Sequence, residues 1–312
     1  MALTYSELQS VSKKYFDDTI TQQVYEDSAF FALLKSKHKI TASGGESIQF
    51  PIRYKKLGQS AGTGFRTRVD FSSVETRTAG VLEWAAVQGY TLLHWDERVK
   101  NAGAGKIIDI AKDKAAELKE DFQDELSSMV WGTDTTYIAP LAQIVDSSDT
   151  YAGIAVSDAS DWAATEDSST TTLKLFGAGS LAYARNQATF GKHRPTHHFT
   201  TLDLASKFES LLEPKQIYED KELANLGFRA VTYYGCPVIG DEYVSSGDWY
   251  GLDMSVFELV VHKDNDLNVT EWFDLKQAGY PNALAKYMSM VANLKCVLRK
   301  SNFKFTALDY TL

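Results

Sequence analysis

The pattern most typical of an enzyme is G-x-G-x-x-A, which places Gly177 and Gly179 before a predicted helical segment. In dinucleotide-binding folds such glycines let a pyrophosphate approach the N-terminus of a helix. An acidic residue that binds the ribose should follow about 20 residues later, at the end of the next strand. The nearest candidate, Asp203, lies further away and opens another predicted helix. A nucleotide-binding enzyme that uses Gly177 and Gly179 is therefore one alternative; the other is a continuous helix whose small residues allow close packing.

A second glycine-rich pattern, Gly103-Ala-Gly-Lys106, is similar to a phosphate-binding loop but lacks two of the residues that such a loop needs. Lys100 stands where the first glycine should be, and Ile107 stands where a serine or threonine should bind magnesium. We therefore do not interpret this pattern as a nucleotide site.

Three histidines cluster in the sequence Gly-Lys-His-Arg-Pro-Thr-His-His, at His193, His197 and His198. Imidazoles bind zinc, but no cysteine or Glu-x-x-His pattern completes a ligand set here. A surface turn before a strand, with alternate histidines on opposite faces, is the interpretation that the spacing favours. The sequence also lacks a Gly-x-Ser-x-Gly elbow. It therefore predicts no catalytic residue, no cofactor and no metal site.

Composition limits the function classes further. Of the 312 residues, 41 are acidic and 32 are basic, for a net charge of -9, which argues against a dedicated DNA-binding surface. A hydrophobic content of 44% is typical of a globular protein. Cys236 and Cys296 are far apart and favour a reduced state in the cytosol. The chain shows neither a secretion signal nor an apolar stretch long enough to span a membrane.

The elements that dominate the N-terminal third are a hairpin and a helix. The first predicted strand runs from Glu46 to Lys55 with apolar residues at every second position, which is the period of a half-buried strand. Pro51 lacks a backbone donor, so this strand is expected at a sheet edge or in a two-stranded ribbon. The return strand runs from Gly80 to Trp95, and a polar tip lies between the two.

A long helix is predicted from Asp96 to Trp131, because apolar residues recur at intervals of three and four. Its main rod, from Ala104 onward, would be about 42 Å long, and Gly132 is a C-terminal stop. The remainder alternates short helices and strands, so the fold class is α+β. Helices are predicted at 171–187 and 202–212, and strands at 196–200, 230–234, 257–262, 288–298 and 303–308.

Charge is distributed unevenly between the hairpin and the helix. Six hairpin residues are basic, against three that are acidic: Arg53, Lys55, Lys56, Arg66, Arg68 and Arg77. Five residues of one helical segment are acidic, against one that is basic: Glu117, Glu120, Asp121, Asp124 and Glu125. These are either two ordinary solvated faces or the two halves of a subunit interface. In the second case, the basic hairpin of one copy lies over the acidic helix of the next and sets the register of assembly.

The order of these parts resembles that of the major capsid proteins of tailed bacteriophages, which have the Hong Kong 97 type fold. Local sequences resemble that family as well. They are Ile138-Ala-Pro-Leu-Ala-Gln-Ile144, Tyr151-Ala-Gly-Ile154, Trp162, Leu226-Gly-Phe228, Tyr234-Gly-Cys-Pro-Val-Ile-Gly-Asp241, Gly247-Asp-Trp-Tyr-Gly-Leu-Asp253 and Asn293-Leu-Lys-Cys-Val-Leu-Arg-Lys300. The resemblance covers nearly the whole chain, and the joint order of the motifs is what makes it specific.

The resemblance implies a domain layout. Residues 1–43 would be an N-terminal arm, and 44–94 would be an extended hairpin loop (the E-loop). Residues 95–169 and about 261–300 would form a peripheral domain with the spine helix 96–131, and about 170–260 an axial domain. The implied function is a structural shell protein rather than an enzyme. It would form the hexamers and pentamers of an icosahedral head around double-stranded DNA, in the virion, after assembly in the host cytoplasm.

Two features of the family are not matched. Some members carry a long N-terminal scaffolding segment that a protease removes, but only about 45 residues precede the hairpin in this sequence. A separate scaffolding protein, together with a portal protein, is therefore expected as a partner. Lys55 and Lys56 lie on the strand and not at the tip, so covalent cross-linking through a lysine is not expected.

Three further expectations concern contacts and cargo. Burial of Phe50, Ile52, Trp84 and Tyr90 against neighbouring copies is expected to supply most of the energy of assembly. Contact with packaged DNA should be weak and non-specific. An encapsulin-like compartment that encloses enzymes shares the fold and is a further alternative.

Overall fold

A computed structural model describes residues 29–30, 33–34, 39–53, 55, 57–60, 62–66, 68, 71–100, 110–212, 231–275 and 283–309. The described residues form a mixed α+β structure with two compact units. The small unit contains Gln88–Gln123 and Val269–Met288, and the large unit contains Asp27–Val87, Asp124–Asn268 and Ser289–Leu312. Most of the expected N-terminal arm, Lys56 and the glycines of the 103–106 pattern lie outside the described residues.

Five helices have defined bounds in the described part of the chain. They are α1 (Trp95–Lys100), α2 (Ile110–Trp131), α3 (Leu141–Ile144), α4 (Leu181–Ala188) and α5 (Leu202–Leu211). Short 3-10 helices occupy Ser160–Trp162, Met254–Val256 and Arg299–Ser301.

In the described part of the chain, fourteen strands are arranged in three sheets. In chain order they are β1 (Lys39–Ala42), β2 (Ile48–Arg53), β3 (Arg77–Leu82), β4 (Ala85–His94), β5 (Thr165–Asp167), β6 (His197–Thr200), β7 (Val231–Tyr233), β8 (Cys236–Gly240), β9 (Trp249–Leu252), β10 (Phe257–His262), β11 (Asn268–Val269), β12 (Phe273–Asp274), β13 (Ala283–Cys296) and β14 (Phe303–Phe305).

The hairpin forms a sheet of its own from β2 and β3, which pair antiparallel from Ile48↔Leu82 to Arg53↔Arg77. Burial alternates strictly along β2, with Ile48, Phe50 and Ile52 buried and the residues between them exposed. Pro51 lies in this two-stranded sheet, as its missing donor predicted. The predicted return strand is divided into β3 and β4 at residues 83–84.

The predicted long helix is described in two pieces, α1 and α2, and residues 101–109 between them lie outside the described residues. With 22 residues, α2 is about 33 Å long at 1.5 Å per residue. Leu118, Phe122 and Leu126 are buried, so the predicted apolar stripe is confirmed over this length. The helix ends where expected, with the Gly132 N–H donating to the Ser128 carbonyl at 2.8 Å.

One hydrophobic core cluster of the large unit lies on the six-stranded sheet β5-β14-β9-β6-β8-β7. Helices α4 and α5 bury apolar residues in one cluster with this sheet, among them Leu181, Leu204 and Phe208. The strand predicted at 196–200 and the helix predicted at 202–212 are therefore confirmed as β6 and α5. The helix predicted at 171–187 was wrong in its first half, because α4 begins only after its N-cap, Ser180.

The other six-stranded sheet has the order β1-β10-β13-β11, with β12 and β4 also pairing with β13. In the large unit, β10 pairs antiparallel with β13 and parallel with β1. Phe30 is fully buried against the rings of Trp131, Phe199 and Phe257, at centroid distances of 5.4–5.9 Å. The described end of the expected arm therefore packs on the body of its own subunit.

Candidate functional site

The outer part of the hairpin exposes apolar side chains to solvent. Phe71 is 93% exposed and Phe65 is fully exposed, and Leu57 is also exposed. The side-chain amide of Gln59 donates to the Ser72 hydroxyl at 3.1 Å and to the Ser72 carbonyl, which links the two arms of the tip. Two large apolar side chains exposed on one short tip make that tip a candidate interaction surface.

The basic residues of the hairpin are exposed as well. Arg53, Lys55, Arg66, Arg68 and Arg77 all lie at the surface, and among the described residues none of them forms an ion pair. Arg53 and Arg77 are direct cross-strand partners, and like charges in that position destabilise a hairpin. An acidic partner would remove this repulsion, and the described part of the chain supplies none.

The acidic segment of α2 divides into two groups. Glu117, Asp121 and Glu125 are exposed and follow one another at intervals of four, so they share one face of the helix. Glu120 is half-buried. Asp124 accepts a hydrogen bond from the Tyr243 hydroxyl at 2.7 Å. Burial and the Asp124 carboxylate together raise the pKa of Tyr243. Asp124 is thus engaged within its own subunit, whereas Glu117, Asp121 and Glu125 are exposed.

The expectation that Phe50 and Ile52 supply apolar area between subunits was wrong. Both are buried inside their own subunit, because the base of the hairpin packs on the body. The β3 backbone N–H of Val81 donates to the Ala152 carbonyl at 3.0 Å, and Lys295 Nζ lies 5.2 Å from the centroid of the Phe50 ring. Gly80 permits this packing, since a Cβ there would lie 2.7 Å from Cδ1 of Ile52.

Trp84 is also partly engaged within the subunit, while Tyr90 remains exposed. The indole N–H of Trp84 donates to the Gly45 carbonyl at 2.9 Å, and its ring lies edge-on to His262. In the hairpin tip, Phe65 and Phe71 are exposed apolar residues that the sequence did not single out. Their only signal in the sequence is an aromatic side chain within a polar tip, and periodicity does not detect a residue outside a regular strand.

The G-x-G-x-x-A segment is a turn followed by a helix, with Gly177 and Gly179 at positive φ. The first N–H groups of α4 are already bonded. Leu181 donates to the Lys174 carbonyl, Ala182 to the Leu175 carbonyl, and Tyr183 to the Ser180 hydroxyl. A pyrophosphate needs such groups free, so this helix end does not fit one.

The histidine cluster spans a turn and the strand that follows it, as its spacing predicted. His193 precedes β6, and His197 and His198 lie within β6. In β6, His197 is half-buried and His198 is fully buried, and His198 Nδ1 accepts from the Trp249 indole N–H at 3.2 Å. Burial lowers the pKa of His198 to about 3, and the nearby Arg185 charge contributes. Within the described ranges, no group of three His, Cys, Asp or Glu residues is arranged to bind a metal ion. No described helix is both long and apolar enough to cross a bilayer.

Comparisons with known proteins give one kind of match. No protein-family profile matches the chain, and no curated protein sequence does. Solved structures match over nearly its whole length. The Cyanophage A-1(L) capsid asymmetric unit is 14% identical over 96% of this chain and 98% of that chain, with a TM-score of 0.71. A structure of Mycobacterium phage Bobi is 12% identical over 99% of both chains, with a TM-score of 0.62.

A third match is the holo-SrpI encapsulin complex from Synechococcus elongatus PCC 7942. It is 10% identical over 100% of this chain and 98% of that chain, with a TM-score of 0.58. At these identities the comparison establishes the fold and not the activity. The chain has the tailed-phage major capsid fold, in agreement with the order of elements read from its sequence.

Proposed function

We propose that this protein is a structural shell protein whose hairpin binds a neighbouring copy of the same chain. One observation carries the proposal. In a chain with a capsid fold, the hairpin displays two phenylalanines and a set of arginines that have no partner in the described part of their own subunit. Features of that kind are costly in an isolated monomer and are used when copies associate.

The complementary surface would be the exposed acidic face of α2 on the next copy. Arg66 and Arg68 would lie near Glu117, Asp121 and Glu125, so that each hairpin is guided to one register. Phe65 and Phe71 would contribute the apolar contact that Phe50 and Ile52 cannot make. Many exposed pairs of charges contribute little each, so burial of the phenylalanines would supply more of the association energy.

The assembly that best fits this fold is a phage head. Copies would form hexamers and pentamers and close into an icosahedral shell around double-stranded DNA, with only weak, non-specific contact to the DNA. A scaffolding protein and a portal protein would be its assembly partners. The subunits would gather in the host cytoplasm and remain in the virion. Catalysis has no part in this proposal.

An encapsulin-like compartment is the second candidate, because an encapsulin complex is among the matching structures. The phage capsid is favoured, since the Cyanophage A-1(L) capsid matches with a TM-score of 0.71 against 0.58 for the encapsulin. Purified particles distinguish the two candidates by their contents. Nuclease-protected DNA identifies a phage head, and protein cargo found by mass spectrometry identifies a compartment.

The test is replacement of residues 58–74 by a short Gly-Ser linker, which leaves the paired strands β2 and β3 intact. We expect a folded, soluble subunit with an unchanged circular dichroism spectrum, and no shells in negative-stain micrographs. The matched control is a Gln59→Ala variant, which alters the tip without removing its aromatic or basic residues. Normal shells from the linker variant would refute the proposal.

A further inference from the structure

A second aromatic surface lies in the large unit, away from the hairpin in sequence. It consists of Phe176, Arg185 and Tyr234, and is called the aromatic patch below. Phe176 and Tyr234 are 65% and 56% exposed. The edge of Phe176 faces Tyr234 at a centroid distance of 6.3 Å. Tyrosine, phenylalanine and arginine clustered at a surface are typical of the centre of an interface.

The backbone beneath the patch is held in place at an energetic cost. Tyr233 and Cys236 are register partners, so Tyr234 and Gly235 form a two-residue hairpin turn with φ of 51° and 74°. Such turns favour Asn or Gly, and a bulky side chain at positive φ costs about 1–3 kcal/mol. The Tyr233 hydroxyl donates to the Leu175 carbonyl at 2.6 Å, which ties this turn to the turn that carries Phe176. The strained turn therefore holds the Tyr234 ring at the surface, on a backbone that the Tyr233 hydrogen bond fixes in place.

Arg185 gives the patch an unbalanced positive charge. Its guanidinium carbon lies 5.1 Å from the centroid of the Tyr234 ring. Its Nε atom is buried without a hydrogen-bond partner among the described residues, and no described carboxylate forms an ion pair with it. The residue as a whole is only half-buried. The ligand that fits is an apolar group with an adjacent carboxylate, which would pair with the charge of the guanidinium rather than with the buried Nε.

We propose that the aromatic patch binds the N-terminal end of α5 on a second copy of this chain. There Leu202 is 60% exposed beside the exposed Asp203, whose carboxylate forms no ion pair among the described residues. The leucine would cover the rings, and the carboxylate would pair with Arg185. Because patch and ligand are different surfaces of one chain, the contact is head-to-tail and generates rings where its rotation closes. This inference rests on the proposed function only in that copies of the chain associate.

The experiment is a charge swap in the full chain. Arg185→Glu and Asp203→Arg are made singly and together, and self-association is measured by sedimentation velocity over a range of protein concentrations. This measurement detects dimers and rings whether or not shells close. Each single variant should weaken association about tenfold, as expected for loss of one desolvated ion pair, and the double variant should recover most of the loss. Melting temperatures of the unassociated subunits check that each variant is folded.

A second variant tests the contact without reversing a charge, so its result does not depend on whether Arg185→Glu folds. Tyr234→Asn removes the ring and suits the positive φ, so it should keep or raise the melting temperature while weakening association. Wild-type association in Arg185→Glu or Tyr234→Asn would overturn the inference, as would a charge swap that recovers nothing. These outcomes are independent of the hairpin replacement, which tests shell assembly. A wild-type chain that forms rings but no shells would contradict the proposed function and not this contact.

Discussion

The large unit contains two groups of cationic side chains that differ in how their charge is balanced. Arg299 is fully buried and donates to the carbonyl oxygens of Gln143, Ile144, Asp146 and Asp149 at 2.7–3.0 Å. The arginines of the hairpin are exposed and have no ion-pair partner in the described residues. Charge that is satisfied inside the subunit stabilises the fold, and charge left unsatisfied at the surface is available to another copy.

Lys304 belongs to the first group. Its ammonium lies 3.0 Å from Asp146 and 3.2 Å from Glu166, and it also donates to the Ala142 carbonyl. Burial alone would raise the pKa of Asp146, but hydrogen bonds from the Ser148 backbone and from Lys304 hold that pKa well below its usual range. The cations at the end of the chain therefore hold the loop after α3 in place. Removal of a cation from this group should affect folding, whereas removal of a hairpin cation should affect only association.

The largest effect is expected from Arg299→Met. The substitution leaves four carbonyl oxygens without this donor, and breaking a buried polar network costs about 3–5 kcal/mol. Urea denaturation measures the loss in the free energy of unfolding. Arg53→Met, at an exposed hairpin position, is the matched control and should change that free energy by less than about 0.5 kcal/mol. Equal losses in both variants would contradict the distinction between the two groups.

Two glycine substitutions test the same contrast, between the buried part of the large unit and the exposed hairpin, through side-chain packing. Gly251 is the register partner of Phe303 in the β9–β14 pair, and a Cβ there would overlap the Phe303 ring. Gly251→Ala should therefore cost about 1–3 kcal/mol of stability by overpacking. At Gly62, in the hairpin tip, an added Cβ would have no heavy atom within 4 Å among the described residues, so Gly62→Ala should be neutral. Thermal unfolding of both variants checks the difference, and a neutral Gly251→Ala would show that the sheet relaxes around it.

A smaller effect should appear as pH dependence in the core. The folded state keeps His198 neutral down to a pKa of about 3, against an ordinary value of 6.5. Because the unfolded chain binds the extra proton between these values, the free energy of unfolding falls as pH decreases through this window. His198 should account for about 2 kcal/mol of the loss between pH 7 and pH 5. His198→Asn keeps an acceptor for Trp249 and should reduce that loss. Denaturation at the two pH values tests this, and an equal loss in both proteins would contradict it.

The smallest effect on folding is expected from Arg66→Glu combined with Arg68→Glu. Both side chains are exposed, so the free energy of unfolding should change by less than about 0.5 kcal/mol. Shell yield should fall, and the yield of the wild type should itself decrease with added salt. Arg66→Lys with Arg68→Lys preserves the charge and should assemble normally. A yield that is the same for all three proteins at every ionic strength would refute the electrostatic part of the hairpin contact.

Sequence periodicity predicted the regular elements well and the irregular ones poorly. The alternation along β2 and the apolar stripe of α2 repeat over many residues, so each predicted one buried face correctly. The helix expected at 171–187 was placed too early, because glycines at positive φ form a turn before Ser180. Gly177 and Gly179 are themselves turn signals, and the interpretation as a continuous helix did not use them. The domain layout implied by the family resemblance remains a prediction.

The residues expected at the subunit interface show this limit of sequence periodicity more clearly. Alternation correctly identified Phe50 and Ile52 as one face of a strand, but it did not reveal which molecule covers that face. Only the folded chain shows that the body of the same subunit covers them, which leaves Phe65 and Phe71 as the exposed pair. Likewise, the acidic run on α2 contained Asp124, and the structure engages it with Tyr243. The remaining basic and acidic residues stay candidates for the interface.

By itself the sequence determined the α+β class, the two-stranded hairpin, the apolar stripe and C-terminal end of the helix that stops at Trp131, and the resemblance to a capsid fold. Those features depend on local spacing and on the order of elements, which a sequence displays directly. Only the tertiary structure decided which apolar and charged side chains are satisfied within one subunit. It placed Arg299 among carbonyl oxygens more than 140 residues away and left Arg185 without a carboxylate from the described part of the chain. Contacts of that kind join residues distant in sequence, so no local pattern records them.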